Sequence, residues 1–207
     1  SLKEVAIDMP AGPSEVEVIA DESANPAFIA ADFLSQAEHG MDSQAMLVTA
    51  SESIVEPVMQ AIREQLDRLP RKEITEKSLS HSRLIVLKDK QEVIDFTNLY
   101  APEHLIIQTT DYADIAGQVE NAGSVFMGSY TPESAGDYAS GTNHTLPTNG
   151  YAKAYSGVNL DSFIKKITFQ EITADGIRLL GGTIRTMAAN EQLDAHKNAV
   201  TIRLNTL

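Results

Sequence analysis

The sequence contains neither cysteine nor tryptophan among its 207 residues. Without cysteine the chain can form no disulfide, no thiolate zinc site and no iron–sulfur centre, and no covalent mechanism can pass through a thiol. Any metal that the chain binds must therefore take nitrogen and oxygen ligands.

Basic residues are also scarce, with 16 Lys and Arg against 29 Asp and Glu and a formal net charge of −13. Binding to nucleic acid or to an anionic membrane surface needs clusters of Lys and Arg, so this balance argues against both kinds of partner. No apolar run approaches the roughly 20 residues that span a bilayer, and the N-terminus lacks the basic-then-apolar pattern of a secretory signal. We therefore expect a cytoplasmic protein.

Glycine is present, but the 12 glycines form neither a G-x-G-x-x-G nor a G-x-x-x-x-G-K-[ST] motif. These motifs cradle the phosphates of dinucleotides and nucleotides at the start of a helix. The sequence therefore encodes neither of these familiar cofactor sites.

Apolar β-branched runs alternate with amphipathic stretches along the first two thirds of the chain. This alternation is typical of βαβ units, and it predicts an α/β fold with a mostly parallel, Rossmann-like sheet flanked by helices. The predicted strands are Glu15–Ala20, Ala45–Thr49, Arg83–Leu87, Leu105–Gln108 and Ser124–Met127. The predicted helices are Pro26–Glu38, Glu52–Leu69, Gln91–Leu99 and Asp111–Glu120.

The pattern stops at a long polar stretch, residues 128–157, which is rich in Gly, Ser, Thr, Asn, Pro and Tyr. A loop of this length in a compact domain is usually functional or disordered, and its regular punctuation by Gly and Pro favours order. After it we predict a strand over Lys166–Thr173 and two helices, Gly176–Ala188 and Gln192–Arg203.

The predicted domains are residues 1–158, an α/β domain with most of the site residues, and residues 159–207, a small helical C-terminal segment. That segment is too short to bury a core alone, so we expect it to pack on the main domain or on another subunit.

Two groups of polar residues precede predicted strands. Gln36 and His39 lie three residues apart and share a helical face, where their oxygen and nitrogen atoms can bind a borderline divalent metal. Glu103 and His104 are adjacent and can divide the work of activating a water and moving a proton. A polar helix end and an ordinary surface pair are the alternatives, and open α/β sheets bind ligands beyond the other ends of their strands.

Two further groups lie in the long polar stretch and near the C-terminus. Asp137 and His144 stand among hydroxyls and glycines that would suit a pocket closing on a polar small molecule. Glu191 and His196 are five residues apart, so we expect a helix break or a helix start between them if both face one site. Each group alone is better explained by ordinary solvated polar residues, but together they point to a mononuclear metal site of His, His, Asp and a fourth donor.

In this order, and over nearly the whole chain, five stretches resemble histidinol dehydrogenase: GPSEV, SQAEHG, APEHL, PESAGDYASGTNH and AHKNAVTIRL. The resemblance implies a zinc-dependent, NAD-linked enzyme that oxidises L-histidinol through L-histidinaldehyde to L-histidine, with Zn²⁺ and NAD as its cofactors. It also implies a homodimer in which the C-terminal segment completes the partner's site.

The resemblance carries residue roles with it. Its implied zinc ligands are Gln36, His39, Asp137 and His196. Its implied acid–base pair is Glu103 and His104, and Ser14, His144 and Glu191 would contact the substrate together with the zinc ligands and His104. Because the chain lacks cysteine, the aldehyde would be oxidised as a hydrate, with Glu103 activating the water.

The family's chain is considerably longer, and GPSEV, a mid-chain motif there, occupies residues 12–16 here. We therefore expect a fragment or truncated product that binds NAD poorly and has little activity alone, with cofactor-binding residues that are unknown. An inactive module that binds a metal or an imidazole, and a zinc hydrolase that uses Glu103, are the alternatives.

Overall fold

The computed structural model describes residues 9–10 and 12–207, and a five-stranded parallel sheet organises most of them. The strands stand in the order β3-β2-β1-β4-β5, so the central strand is the first in the chain. Their bounds are β1 Glu15–Ala20, β2 Gln44–Thr49, β3 Arg83–Val86, β4 His104–Gln108 and β5 Ser124–Met127. The predicted Rossmann-like α/β architecture is confirmed.

Helices connect and flank the strands. Their bounds are α1 Pro26–Ala37, α2 Val55–Leu66, α3 Lys72–Leu79, α4 Lys90–Tyr100, α5 Tyr112–Ala116, α6 Glu133–Tyr138, α7 Ala174–Asn190 and α8 Asp194–Asn205. Helix α1 begins where Asn25 accepts a hydrogen bond from the amide of Ala27 and Pro26 takes the first helical position. The Asn25 side chain satisfies an amide that has no partner within the helix. Pro26 loses nothing at the first position, because the amide that proline lacks would have no partner there either.

Two apolar clusters cover the two faces of the sheet. One face of β1 presents Val16 and Val18 to a cluster that includes Ile29 and Phe33 of α1. The opposite face carries Ile19, which belongs to the cluster around α4 and α5. Burial of both faces is what a parallel sheet requires, since its crossover helices lie on both sides.

The chain divides into two compact units, the first ending at Ile164 and the second covering Lys165–Leu207. In the second unit α7 and α8 pack as a helical pair, and a Cβ added at Gly181 would lie 2.8 Å from Leu204 Cδ1. Within residues 9–10 and 12–207, no helix combines the length and the apolar character needed to cross a bilayer.

Three predictions of local structure were wrong. Residues 166–173, all described, form no strand, and the apolar Ile167 and Phe169 there are exposed. Alternation alone does not make a strand, because a strand must also find an edge with which to pair. The stretch 128–157 contains a short helix, α6, and the helix predicted for Glu52–Leu69 ends at Leu66 and is followed by the separate α3.

A buried carboxylate lies in the middle of the sheet. Glu17 on β1 is fully buried and receives a hydrogen bond from the hydroxyl of Thr97 on α4. Its Oε2 has no hydrogen-bond partner among the described residues. Burial raises the pKa of Glu17 to about 8, the Thr97 hydrogen bond opposes this, and the charge of Glu15 adds to it.

We expect Glu17→Gln to flatten the pH dependence of stability. The pKa of Glu17 rises from 4.5 to about 8 on folding. The stability that the protonated group contributes is therefore complete below 4.5 and is lost as the pH rises to 8, by up to about 1.4 kcal/mol per pH unit. Urea unfolding of both proteins between pH 5 and pH 8 measures the difference. Parallel pH profiles would contradict the assignment.

Candidate functional site

The polar residues of interest gather at the amino-terminal edge of the sheet. Ser14 directly precedes β1, Glu103 directly precedes β4, and His39 lies between the end of α1 and the start of β2. Parallel strands begin at a common edge, so residues far apart in sequence meet there. This is the edge opposite to the one where open α/β sheets usually bind ligands.

The cavity beside these residues at the amino edge is larger than the one at the carboxyl edge of the sheet. A cavity of about 360 Å³ at the amino edge is lined by Ser14 and His39 with neighbouring residues. At the carboxyl edge a cavity of about 110 Å³ lies beside Lys90 and Asp111, which form an ion pair of 2.8 Å. Small-molecule sites usually occupy about 300 Å³ or more, so the amino edge is the better candidate.

The Glu103–His104 pair is placed by the end of α4. Ala101 ends that helix in the left-handed region with φ of 58°, and its amide donates to the carbonyl of Thr97. A left-handed residue at this position reverses the chain, and Pro102 then prevents the helix from continuing. The chain consequently enters β4 with Glu103 and His104 both buried and with Glu103 Oε2 3.5 Å from His104 Nδ1.

Three further side chains converge beside this pair. His39 Nε2 lies 3.7 Å from Glu133 Oε1, and Asp137 Oδ1 lies 4.0 Å from His104 Nε2. One ligand atom from each of His39, Glu133 and Asp137 can be chosen so that all three lie within 4.8 Å of one another. Because a single cation could contact three atoms at this separation, these side chains form a candidate metal centre.

Gln36 lies in the last turn of α1, three residues before His39, and is fully buried, so the structure places only Gln36 on the helix and corrects the expectation that the two share a helical face. When its amide nitrogen faces Glu133, that nitrogen lies 3.2 Å from both carboxylate oxygens and donates to them. The opposite orientation would bring the amide oxygen against the carboxylate, so the nitrogen must face Glu133. The carboxylate thereby determines which atom of Gln36 is left for another partner.

The site holds more negative charge than its side chains neutralise. Burial raises the pKa of Glu133 to about 7, the charge of His104 opposes this, and Asp137, Glu103 and Asp32 raise it further. Burial lowers the pKa of His104, but the hydrogen bond that its ring donates to Glu103 and the charges of Glu133 and Glu103 outweigh it and raise the pKa to about 9. Buried carboxylates at this density favour a cation.

One atom of the pair is left without a partner. His104 Nε2 is buried and has no hydrogen-bond partner among the described residues. Its other nitrogen, Nδ1, lies 3.2 Å from the carbonyl oxygen of Glu15. A carbonyl oxygen can only accept, so Nδ1 carries a proton, and Nε2 is an acceptor whenever the ring is neutral.

The remaining predicted residues lie elsewhere. His144 is exposed in the segment after α6, within the first unit. Glu191 caps the C-terminus of α7 and His196 lies on α8, both exposed in the second unit. The helix break expected between them exists, since Gln192 has φ of 59° between the two helices.

Sequence reasoning missed Glu133 as a site residue. It lies four residues before Asp137 in the stretch that was predicted to be a loop. Had α6 been recognised as a helix, this spacing would have placed both carboxylates on one face.

Gly123, which directly precedes β5, leaves room for the main chain of Glu103. Gly123 donates its amide to the carbonyl of Pro102 at 2.9 Å, and Ser124 donates to the carbonyl of Glu103 at 2.9 Å. A Cβ added at Gly123 would lie 2.5 Å from the carbonyl oxygen of Glu103 and 3.1 Å from Leu146 Cβ. The first contact involves main chain, which cannot rotate away.

Comparison with known proteins finds one family and close relatives. The family model described as histidinol dehydrogenase matches residues 2–204. The chain is 69% identical over 207 residues to the histidinol dehydrogenase of Bacteroides thetaiotaomicron, covering 100% of this chain and 48% of that protein. It is 58% identical over 204 residues to the chloroplastic histidinol dehydrogenase of Arabidopsis thaliana, covering 98% of this chain and 44% of that one.

A solved structure gives the same result. The crystal structure of histidinol dehydrogenase from Elizabethkingia anophelis superposes with a TM-score of 0.95 at 58% identity. The match covers 98% of this chain and 47% of that one. The chain thus spans about half the length of the relatives that it matches.

We expect Gly123→Ala to destabilise the protein by about 1–3 kcal/mol, the usual cost of forcing an extra methyl group into a packed site. Gly182→Ala is the control, because a Cβ there meets nothing within 4 Å on the exposed face of α7. Alanine is the better helix former, so this variant should be neutral or slightly stabilising. Urea unfolding compares the two, and equal effects would contradict the steric argument.

Proposed function

The chain belongs to the histidinol dehydrogenase family, and on that premise we propose that its amino-edge site serves the oxidation of L-histidinol to L-histidine through L-histidinaldehyde. The buried Glu103–His104 pair, directly beside His39, Glu133 and Asp137, is the observation that carries the proposal. Since the chain spans about half the length of its relatives, the activity is proposed for the polypeptide that contains it.

We propose that Gln36, His39, Asp137 and His196 hold a zinc ion. The first three lie in the first unit around the candidate metal centre, and all four offer the nitrogen and oxygen donors that a chain without cysteine must use. The orphaned Nε2 of His104 and the buried negative charge support a cation at this place. Bound zinc would supply a Lewis acid that anchors the amino alcohol and the imidazole of the substrate.

Glu133 has a different part in this proposal. Its two oxygens accept from the amide nitrogen of Gln36, so the Gln36 oxygen would be the atom of that side chain that holds the ion. Partners of this kind orient the groups that bind a metal, and their loss usually weakens metal affinity by about 10–100-fold. Glu133 would therefore orient a ligand while its negative charge favours the cation.

The alcohol step uses His104 as the base. Its Nδ1 donates to the carbonyl oxygen of Glu15, so Nε2 is available to take the hydroxyl proton of histidinol. Removal of that proton lets the carbon release a hydride, and bound NAD would supply the hydride acceptor for each of the two oxidation steps.

The aldehyde step needs a tetrahedral adduct before a second hydride can leave. We propose that water forms that adduct, since these 207 residues offer no cysteine thiol, and that Glu103 takes the proton of the attacking water from its position beside His104. His104, the adjacent residue, would then accept a hydroxyl proton of the hydrate as the second hydride leaves. The pair thus serves both steps with one set of groups.

Further residues would contact the substrate, and some of them would come from a second subunit. We assign further contacts to Ser14, His144 and Glu191, and we propose a cytoplasmic homodimer whose C-terminal segments supply Glu191 and His196 to the partner's site. Exposed apolar side chains in the second unit, among them Leu179 and Met187, support an interface there. Poor binding of NAD by the 207-residue chain alone stays a prediction, which a titration with NAD checks.

Loss of a ligand should lower the zinc content. His39→Ala or Asp137→Ala should each reduce bound zinc per chain well below that of the unchanged protein, because each removes a donor from the centre. Metal analysis after dialysis against a weak chelator measures this. His81→Ala is the control, since His81 is exposed between α3 and β3. Zinc contents that stay close to one per chain in both ligand variants would refute the assignment.

Glu103→Gln should separate the two oxidation steps. In the full-length polypeptide it should slow histidinaldehyde oxidation by about 10²–10⁴-fold, the usual contribution of a general base, and slow histidinol oxidation less. The two half-reactions are assayed separately, with Glu120→Gln, an exposed carboxylate, as the control for lost charge. Equal losses in both steps would contradict the role given to Glu103.

A further inference from the structure

The main chain of one residue holds both members of the acid–base pair. The amide of Glu15 donates to Glu103 Oε2 at 2.9 Å, and the carbonyl oxygen of Glu15 lies 3.2 Å from His104 Nδ1. Both contacts are buried, so water does not compete for these groups. The orientation of the pair therefore depends on where the first residue of β1 lies.

The side chain of Glu15 is anchored in its turn. Its Oε1 accepts from the amide of Asn149 at 2.9 Å, and its Oε2 accepts from the hydroxyl of Tyr100 at 3.1 Å. Tyr100 Oη also lies 2.8 Å from Gln44 Oε1. The carboxylate consequently joins β1 to the end of α4, to the start of β2 and to the segment that follows α6.

The Asn149 contact is made by a constrained piece of chain. Asn149 has φ of 54°, in the left-handed region, and it follows the buried Leu146 and Thr148. A residue held in this region needs surrounding contacts to keep it there. Glu15 supplies one of them, 134 positions away in the sequence.

We propose that Glu15 is a positioning residue, whose carboxylate fixes the start of β1 so that its amide and carbonyl hold Glu103 and His104 in their working orientation. This inference rests on the proposed function. Glu15 is one residue from Ser14 but belongs to neither the acid–base pair nor the proposed metal ligands.

A glutamine at this position can keep both side-chain contacts. Its Oε1 can accept from Asn149, and its Nε2 can donate to the Tyr100 oxygen while Tyr100 donates to Gln44. Alanine can keep neither, although the main chain remains. The two substitutions therefore separate the anchoring from the charge.

Glu17 offers a matched control. It is also a buried carboxylate on the same face of β1, two residues further on, but its hydrogen bond runs to Thr97 and not to the pair. Glu17→Ala should change stability without lowering kcat.

The experiment measures kcat and KM for histidinol and the zinc content of folded full-length variants. Glu15→Ala should lower kcat by about 10–100-fold, as loss of an orienting partner does, with a smaller change in KM and with zinc retained. Glu15→Gln should lose less than Glu15→Ala does. Tyr100→Phe, which keeps the ring stacked on Phe96 at 5.9 Å, should lower kcat by an intermediate amount.

Different results would overturn the role of Glu15 and the proposed function. If Glu15→Ala keeps the kcat of the unchanged protein, or if Glu17→Ala lowers kcat equally, Glu15 has only a structural role and the inference is overturned. If Glu15→Ala does not fold, Tyr100→Phe decides, and an unchanged kcat in that variant overturns it. Absence of histidinol oxidation by the unchanged full-length polypeptide would instead remove the proposed function.

Discussion

The pairing of β1 with β4 is the constraint on which the site depends. The two strands are parallel neighbours with Val16 opposite His104, so the first residue of β1 lies beside the Glu103–His104 pair. Because side chains alternate between the two faces of a sheet, a shift of one residue in this register would turn His104 to the other face. The apolar residues of β1 and β4 resist such a shift, since it would expose the core on both sides.

The same pairing explains why the site lies at the amino edge. The neighbours of β1 in the sheet are β2 and β4, and each follows a helix in the chain. His39 lies between the end of α1 and the start of β2, and Glu103 lies between the end of α4 and the start of β4. These helix ends carry no basic residue in their last turns. The carbonyl ends of both helices and the carboxylates of Glu103 and Glu133 therefore concentrate negative potential at one place, which would favour the cation that we propose there.

Much of this could be predicted from the sequence, for identifiable reasons. The strand bounds Glu15–Ala20 and Ser124–Met127 were confirmed because buried parallel strands appear as short β-branched and aromatic runs. Helix α6 was missed because its own residues, which include Gly136 and Asp137, favour a helix only weakly. It packs against β5 so closely that a Cβ at Gly136 would lie 2.7 Å from Phe126 Cε1, so tertiary contact stabilises it.

The sequence by itself determined the kinds of element, their order, and the restriction of any metal site to nitrogen and oxygen donors. It also grouped residues that are close in sequence, such as Gln36 with His39, although α1 ends at Ala37 before it reaches His39. Only the tertiary structure decided that Glu15 holds Glu103, across 88 positions of sequence, and that Glu133 faces Gln36. Local spacing specifies geometry within one element, whereas contacts between elements follow from strand order and register, which arise when the apolar faces are buried together.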